Sequence, residues 1–241
     1  MEKREVKTSK RTATQLRSIR FRRKFTDFAA GSVLVEMGRT RVLCTASLIE
    51  GVPRWREDSG RGWVTADYSM LPSSTTTRKS RPRQGHTDSR GTEIQRLIGR
   101  VLRAVVDFEK LGANTIYLDC DVLQADGGTR TAAINGSYVA LVDAVRVGMK
   151  DGSIVKNPLL SAVAAVSVGV VKNKAVLDLD YELDSQAQVD LNVAMTDKGE
   201  FVELQGTAEQ ETFTAEQLEQ MLKLARRGIK QILEAQKKVL K

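Results

Sequence analysis

The 241-residue sequence contains one histidine, His86. That scarcity excludes a nuclease that uses two histidines as acid and base. A Ser-His-Asp or Cys-His centre would have to recruit His86 itself. Yet His86 falls within Arg81–Arg90, a polar, basic, loop-like stretch where a solvated side chain is the simpler reading. Cysteine is almost as rare. Cys44 and Cys120 lie in separate apolar strand candidates and not at CxxC spacing, so they read as small buried hydrophobes rather than zinc ligands. A reducing compartment is the simplest inference. No apolar stretch follows Met1, and the longest mainly apolar run, Ala162–Val171, is too short to cross a bilayer. No membrane partner is expected, and the expected location is cytoplasmic. Walker and GxGxxG glycine loops are both missing. The catalysis expected here relies on metal, arginines and a supplied nucleophile.

What is abundant is positive charge. The chain carries 38 Lys plus Arg against 30 Asp plus Glu, a net charge of +8, which favours a polyanionic partner such as nucleic acid. The basic residues cluster. Lys7, Lys10, Arg11, Arg17, Arg20, Arg22, Arg23 and Lys24 crowd residues 1–25, and Arg78, Lys79, Arg81, Arg83 and Arg90 lie in a long polar loop over 72–90. The length suits one large domain or two small ones.

Hydrophobic periodicity predicts a mixed set of elements. Ile19–Arg22 hints at a strand. Gly31–Gly38 and Thr40–Ser47 form a hairpin about Gly38-Arg39, and 60–71 a further strand. Ile94, Leu97, Ile98, Val101, Leu102 and Val105 recur at helical spacing, predicting a helix over 92–111 that Gly112 closes. Its opposite face carries Arg96, Arg100 and Arg103, a stripe that suits either a phosphodiester backbone or a solvated surface of ion pairs. Thr115–Val122 is a strand, and Ala132–Val147 a helix. Ala162–Val171 reads as a strand buried on both faces, paired with Ala175–Tyr181. Gln188–Thr196 and Glu200–Thr207 are two more strands. A helix from Thr214 to Leu240 closes the chain, with Thr214 and Gln217 at capping-box positions.

Two stretches carry chemistry. In Gln124–Thr131, Asp126-Gly127-Gly128-Thr129-Arg130 stands between a strand and a helix. Adjacent glycines permit positive φ and close approach to a ligand. The helix start offers free N–H groups and the positive end of its dipole, and Arg130 adds a planar fork that grips phosphate. A tight turn with a threonine cap is the bland alternative, at even weight from these residues alone. The second stretch is Asp178-Leu179-Asp180-Tyr181-Glu182-Leu183-Asp184, with four carboxylates in seven residues. On a strand they would share one face, where mutual repulsion calls for a hard cation such as Mg²⁺. A solvated acidic turn is the alternative. An anion grip beside a cation is what phosphoryl or nucleotidyl transfer requires.

Longer segments carry a family resemblance. Glu93–Arg100, Asp119–Ala132, Gly31–Glu36, Arg41–Ser47, Glu50–Arg54, Asp190–Val193 and Glu203–Thr207 together resemble the ribonuclease PH family, over nearly the whole chain. The resemblance implies an α+β chain with a ribosomal-protein-S5-like βαβ fold, mixed sheets with packed helices, as one domain over 1–241. It implies a phosphorolytic 3′→5′ exoribonuclease that trims tRNA precursors and releases nucleoside diphosphates. Carried over by position, Gly128, Thr129, Arg130 and Arg90 would hold inorganic phosphate, and Asp178 and Asp184 would hold Mg²⁺. Arg90, Arg130, Asp178 and Asp184 form the implied catalytic set. Arg96, Arg100 and Arg103 are the candidate RNA contacts, and the implied assembly is a homohexamer built as a trimer of dimers. The chain departs from the family pattern at Gly91, Leu183, Ser73 and Ser9–Thr12. Rival readings are an inactive ring subunit that only binds RNA, a hydrolytic metal nuclease and a basic structural protein. The presence of all four implied catalytic residues argues against the first, and the paired anion and metal features against the last.

Overall fold

A computed structural model describes residues 11–81, 88–209 and 212–241. His86, Arg83, Lys7 and Lys10 lie outside the described residues. Five strands form the first sheet: β1 (Ile19–Arg23), β2 (Gly31–Met37), β3 (Thr40–Glu50), β4 (Trp63–Met70) and β5 (Asn114–Gln124). Their order is β1-β2-β3-β5-β4; β4 runs parallel to β5, and the other neighbours are antiparallel. Alternation along β5 sends Ile116, Leu118, Cys120 and Val122 into the core and Asp119 and Asp121 to the opposite face. The second sheet is antiparallel: β6 (Val163–Val171), β7 (Lys174–Leu177), β8 (Val189–Thr196) and β9 (Phe201–Ala208), in the order β7-β6-β8-β9. Both cysteines are free and buried, as their apolar surroundings predict.

Helix α1 (Ser89–Arg103) packs on β4, and a single turn, α2 (Phe108–Leu111), follows it. Helix α3 (Thr129–Asp151) lies against β2, β3 and β5 of the first sheet and β6 of the second. Its apolar residues run right round the helix, which fits an element walled in on all sides. All nine residues of β6 are buried, the outcome its unbroken apolar run predicts. Asn135 of α3 pins the two together. Its amide donates to the Ala165 carbonyl at 2.8 Å and accepts from the Ala165 N–H at 2.8 Å, completing strand pairing that β7 is too short to supply. A one-turn helix, α4 (Tyr181–Asp184), joins β7 to β8. The closing helix α5 (Ala215–Leu240) covers β6, β7 and β8, with the expected Thr214–Gln217 capping box.

Two expectations fail. The helix predicted over 92–111 breaks at Ala104–Asp107. There Leu160 N–H donates to the Val105 carbonyl and Asp107 N–H to the Pro158 carbonyl, which takes this backbone out of the helical ladder. Asp107 then caps α2. The acidic run is not a strand either. β7 ends at Leu177, Asp178 takes φ 59°, and the Asp180 side chain accepts from Leu183 N–H to start α4. Asp178, Asp180, Glu182 and Asp184 therefore do not share a face. Leu183 packs on the small apolar cluster of Val171, Val176, Leu179 and Ala187, which gives that departure a structural use.

Candidate active site

The end of β5 and the start of α3 meet the β7–β8 connection across a cleft of about 1310 Å³. Gly127 and Gly128 form the turn, with φ of 69° and 64°. A Cβ on Gly127 would come within 2.5 Å of the Asp180 carbonyl carbon, so only glycine lets the two segments approach. Gly128 is the N-cap of α3, and no side chain caps that end. The first amides of a 23-residue helix, together with its dipole, thus open on the cleft. The Thr129 hydroxyl accepts from Tyr68 Oη at 2.9 Å, which fixes it at the cleft wall. Arg90, in the first turn of α1, and Arg130, in the first turn of α3, line the same cleft. Asp88 caps α1 through the Gly91 N–H at 3.0 Å, and a Cβ on Gly91 would press on that cap at 2.9 Å. The glycine departure therefore suits the turn that carries Arg90.

Asp184 and Asp190 line the facing wall. Burial pushes the Asp184 carboxyl above the ordinary carboxylate range, while Arg90 and Arg130 pull it back in part. Burial also raises Asp190, and the neighbouring Asp184 raises it further. The Oδ1 atom of Asp190 is buried without a hydrogen-bond partner among the described residues.

Asp178 is placed differently from its expected role. It is fully buried and does not line the cleft. Arg17 Nε donates to its Oδ2 at 3.0 Å and Nη2 to its Oδ1 at 2.6 Å. The Arg17 backbone N–H adds a bond at 2.8 Å, and Arg11 approaches Oδ2 at 3.4 Å. Arg17 Nη1 also donates to the Asp126 carbonyl at 2.6 Å, tying this pair to the glycine turn. Both carboxylate oxygens of Asp178 are thus already engaged by arginine.

Among the described residues no three His, Cys, Asp or Glu side chains converge on a metal position. The orphaned Oδ1 of Asp190 beside Asp184 fits an ion held by one or two carboxylates and substrate oxygens, the usual manner of Mg²⁺. Asp178 does not fit while Arg17 holds it.

The arginine stripe on α1 separates into different roles. Arg96 is exposed and makes no ion pair with a described residue. Arg100 forms a two-pronged pair with Glu203, at 2.8 and 3.0 Å. Arg103 lies 4.7 Å above the Trp63 ring and donates to the Val64 carbonyl. Arg100, still exposed at the surface, and Arg103, partly buried, therefore each have an intramolecular partner, and of the three Arg96 is the one without a partner among the described residues.

Comparison with known proteins decides the family. Residues 15–146 match the profile of domain 1 of the 3′ exoribonuclease family, and residues 161–228 match that of domain 2. Ribonuclease PH of Corynebacterium efficiens is 55% identical over 231 residues, covering 95% of this chain and 94% of its own length. Ribonuclease PH of Corynebacterium glutamicum is 56% identical over 231 residues, with the same coverage. The chain belongs to the ribonuclease PH family.

Its activity is that of the family, phosphate-dependent exoribonuclease action from the RNA 3′ end. The fold agrees with that assignment. Rice (Oryza sativa) Rrp46 superposes with a TM-score of 0.78 at 18% identity, covering 96% of this chain and 99% of its own. The Archaeoglobus fulgidus exosome with RNA bound to the active site gives a TM-score of 0.77 at 20% identity, covering 93% and 90%. No described helix is long and apolar enough to cross a membrane. Sequence reasoning missed Arg17, Asp190 and Tyr68 as parts of the site. Asp190 is the first residue of a segment that carries the family resemblance, which was the one available signal. Arg17 is hidden among many basic neighbours.

Proposed function

We propose that this chain trims the 3′ ends of tRNA precursors by phosphorolysis, with inorganic phosphate seated at the start of α3. The observation that carries the reading is the uncapped N-terminus of α3 flanked by Arg90 and Arg130. A phosphate there meets backbone N–H groups at Gly128 and Thr129, the Thr129 hydroxyl and two guanidinium forks. It needs no protein nucleophile, which suits a cleft without a described cysteine or histidine.

In the reaction a phosphate oxygen attacks the terminal phosphodiester phosphorus. A new P–O–P linkage forms, the bond to the preceding nucleotide's O3′ breaks, and that oxygen leaves as the new 3′-hydroxyl. The released product is a nucleoside 5′-diphosphate. Arg90 and Arg130 orient the phosphate and stabilise charge that spreads over the transferring group. Asp184 and Asp190 would hold Mg²⁺, which when bound neutralises phosphoryl oxygens. Arg96, Arg78 and Lys79 lie on exposed surface that suits the RNA backbone.

Incubation with 3′-extended tRNA and Mg²⁺ should release nucleoside diphosphates only when phosphate is added, and EDTA should stop it. Monophosphates released without phosphate would mean hydrolysis. RNA binding with no release would mean an inactive ring subunit.

The same reading includes a cytoplasmic homohexamer, a trimer of dimers. Exposed Phe28 (105%), Val155 (85%) and Trp55 (65%) support an assembly that covers apolar surface. Light scattering should give a mass of six chains; a monomer at working concentration would end that proposal.

A further inference from the structure

Arg130 does not hang free in the cleft. Its Nη1 donates to Glu93 Oε1 at 3.1 Å and to Gln205 Oε1 at 3.0 Å, while Gln205 Nε2 donates to the same Glu93 oxygen at 3.0 Å. The three side chains close a triangle drawn from α1, α3 and β9. All of its contacts fall on one nitrogen of the guanidinium. Among the described residues Arg130 Nε and Nη2 have no partner, and they form the edge that binds an oxyanion in two places. A planar group held by two acceptors at Nη1 has lost its free rotation, so that edge keeps one direction.

A second contact locks the frame. Arg100 lies two turns beyond Glu93 on α1, and Glu203 lies two residues before Gln205 on β9. Spacings of seven on a helix and two on a strand put each pair on one face. The Arg100–Glu203 fork therefore joins the same faces as the Glu93–Gln205 bond. Helix α1 also carries Arg90, so one arrangement sets where both arginines stand.

We propose that Glu93 and Gln205 are positioning residues for phosphate. They orient the Arg130 guanidinium and thereby set affinity for inorganic phosphate, and they do so without contacting RNA. The inference rests on the phosphorolysis reading of the cleft. Charge alone predicts the opposite sign, because removing the glutamate's negative charge should draw an anion in more strongly. Orientation predicts a weaker site.

The test is steady-state phosphorolysis of 3′-extended tRNA with Mg²⁺, varying phosphate and RNA separately. Glu93→Ala should raise the phosphate KM by about 10-fold or more, since a small misplacement of a positioning group is costly. Gln205→Ala should shift it the same way by a smaller factor. The RNA KM should stay within about 2-fold, and the unfolding midpoint should move little, because Glu93 is nearly half exposed and Gln205 still bonds Arg130. Glu93→Gln keeps an acceptor oxygen without the charge and should recover most of the phosphate affinity.

Three outcomes overturn the inference: a parent-like phosphate KM in both alanine variants, an equal rise in the RNA KM, or a Glu93→Gln variant as impaired as Glu93→Ala. A parent chain that needs no phosphate would sink the phosphorolysis reading and this inference with it. A phosphate-dependent parent with a parent-like phosphate KM in both alanine variants sinks the inference alone.

Discussion

Arg130→Ala should cut turnover at saturating RNA by roughly two orders of magnitude or more, the usual loss when an oxyanion-stabilising donor is removed. The reason lies in which contacts survive. The α3 amides, Thr129 and Arg90 remain, so phosphate still binds in the ground state, though more weakly. What disappears is the free Nε–Nη2 edge, a charge-assisted fork held ready by its neighbours. Arg130→Lys restores charge as a point donor without the fork, so it should recover part of the loss. RNA affinity should fall much less, because Arg96, Arg78, Lys79 and other exposed cations share that task. Measured kcat for phosphorolysis beside an RNA dissociation constant at fixed salt separates the two effects. A variant that trims RNA at the parent rate would remove Arg130 from the phosphate site.

Asp178→Ala should destabilise the fold by about 3–5 kcal/mol, the cost of stripping one partner from a buried ion pair. The carboxylate is wholly buried, and Arg17 is nearly so, so an unpaired guanidinium would be stranded away from water. The damage should reach the site as well. Arg17 also holds the Asp126 carbonyl, next to Gly127 and Gly128, so its release loosens the turn that starts α3. Asp178→Asn should do less harm, since asparagine keeps an acceptor and tolerates the left-handed backbone at this position. Urea unfolding and a Mg²⁺ titration make the comparison. A parent-like unfolding midpoint with lost Mg²⁺ affinity would return Asp178 to the metal and refute its structural role.

How much of this was visible beforehand depends on how local the signal is. The Thr214–Gln217 cap, the apolar run of β6 and the glycine turn at Gly127–Gly128 are each decided by neighbours in sequence, and each stands where expected. The helix through 92–111 was over-extended because Val105 keeps the apolar rhythm, while the chain that diverts it lies at 158–160. Alternating carboxylates read as a strand face, but the left-handed turn at Asp178 ends the strand first. The pairing of Asp178 with Arg17 spans 161 positions, and nothing local distinguishes Arg17 from the other N-terminal arginines. Arg100 and Arg103 fit the periodicity of a polar face, yet their partners Glu203 and Trp63 come from elsewhere in the chain. Tertiary pairing, and not propensity, decided those residues.

Helix α3 has one further consequence, for adaptation to temperature. Parts that bind ligands or move are usually drawn from the less stable regions of a fold. Here the proposed phosphate seat is one end of α3, the most enclosed of the described helices, bonded through Asn135 to a fully buried strand. Loosening it would loosen both sheets together. Tuning for cold or heat is better placed on the exposed residues that carry or hold the cleft arginines, such as Arg90 and Glu93, while the rod beneath them stays as it is.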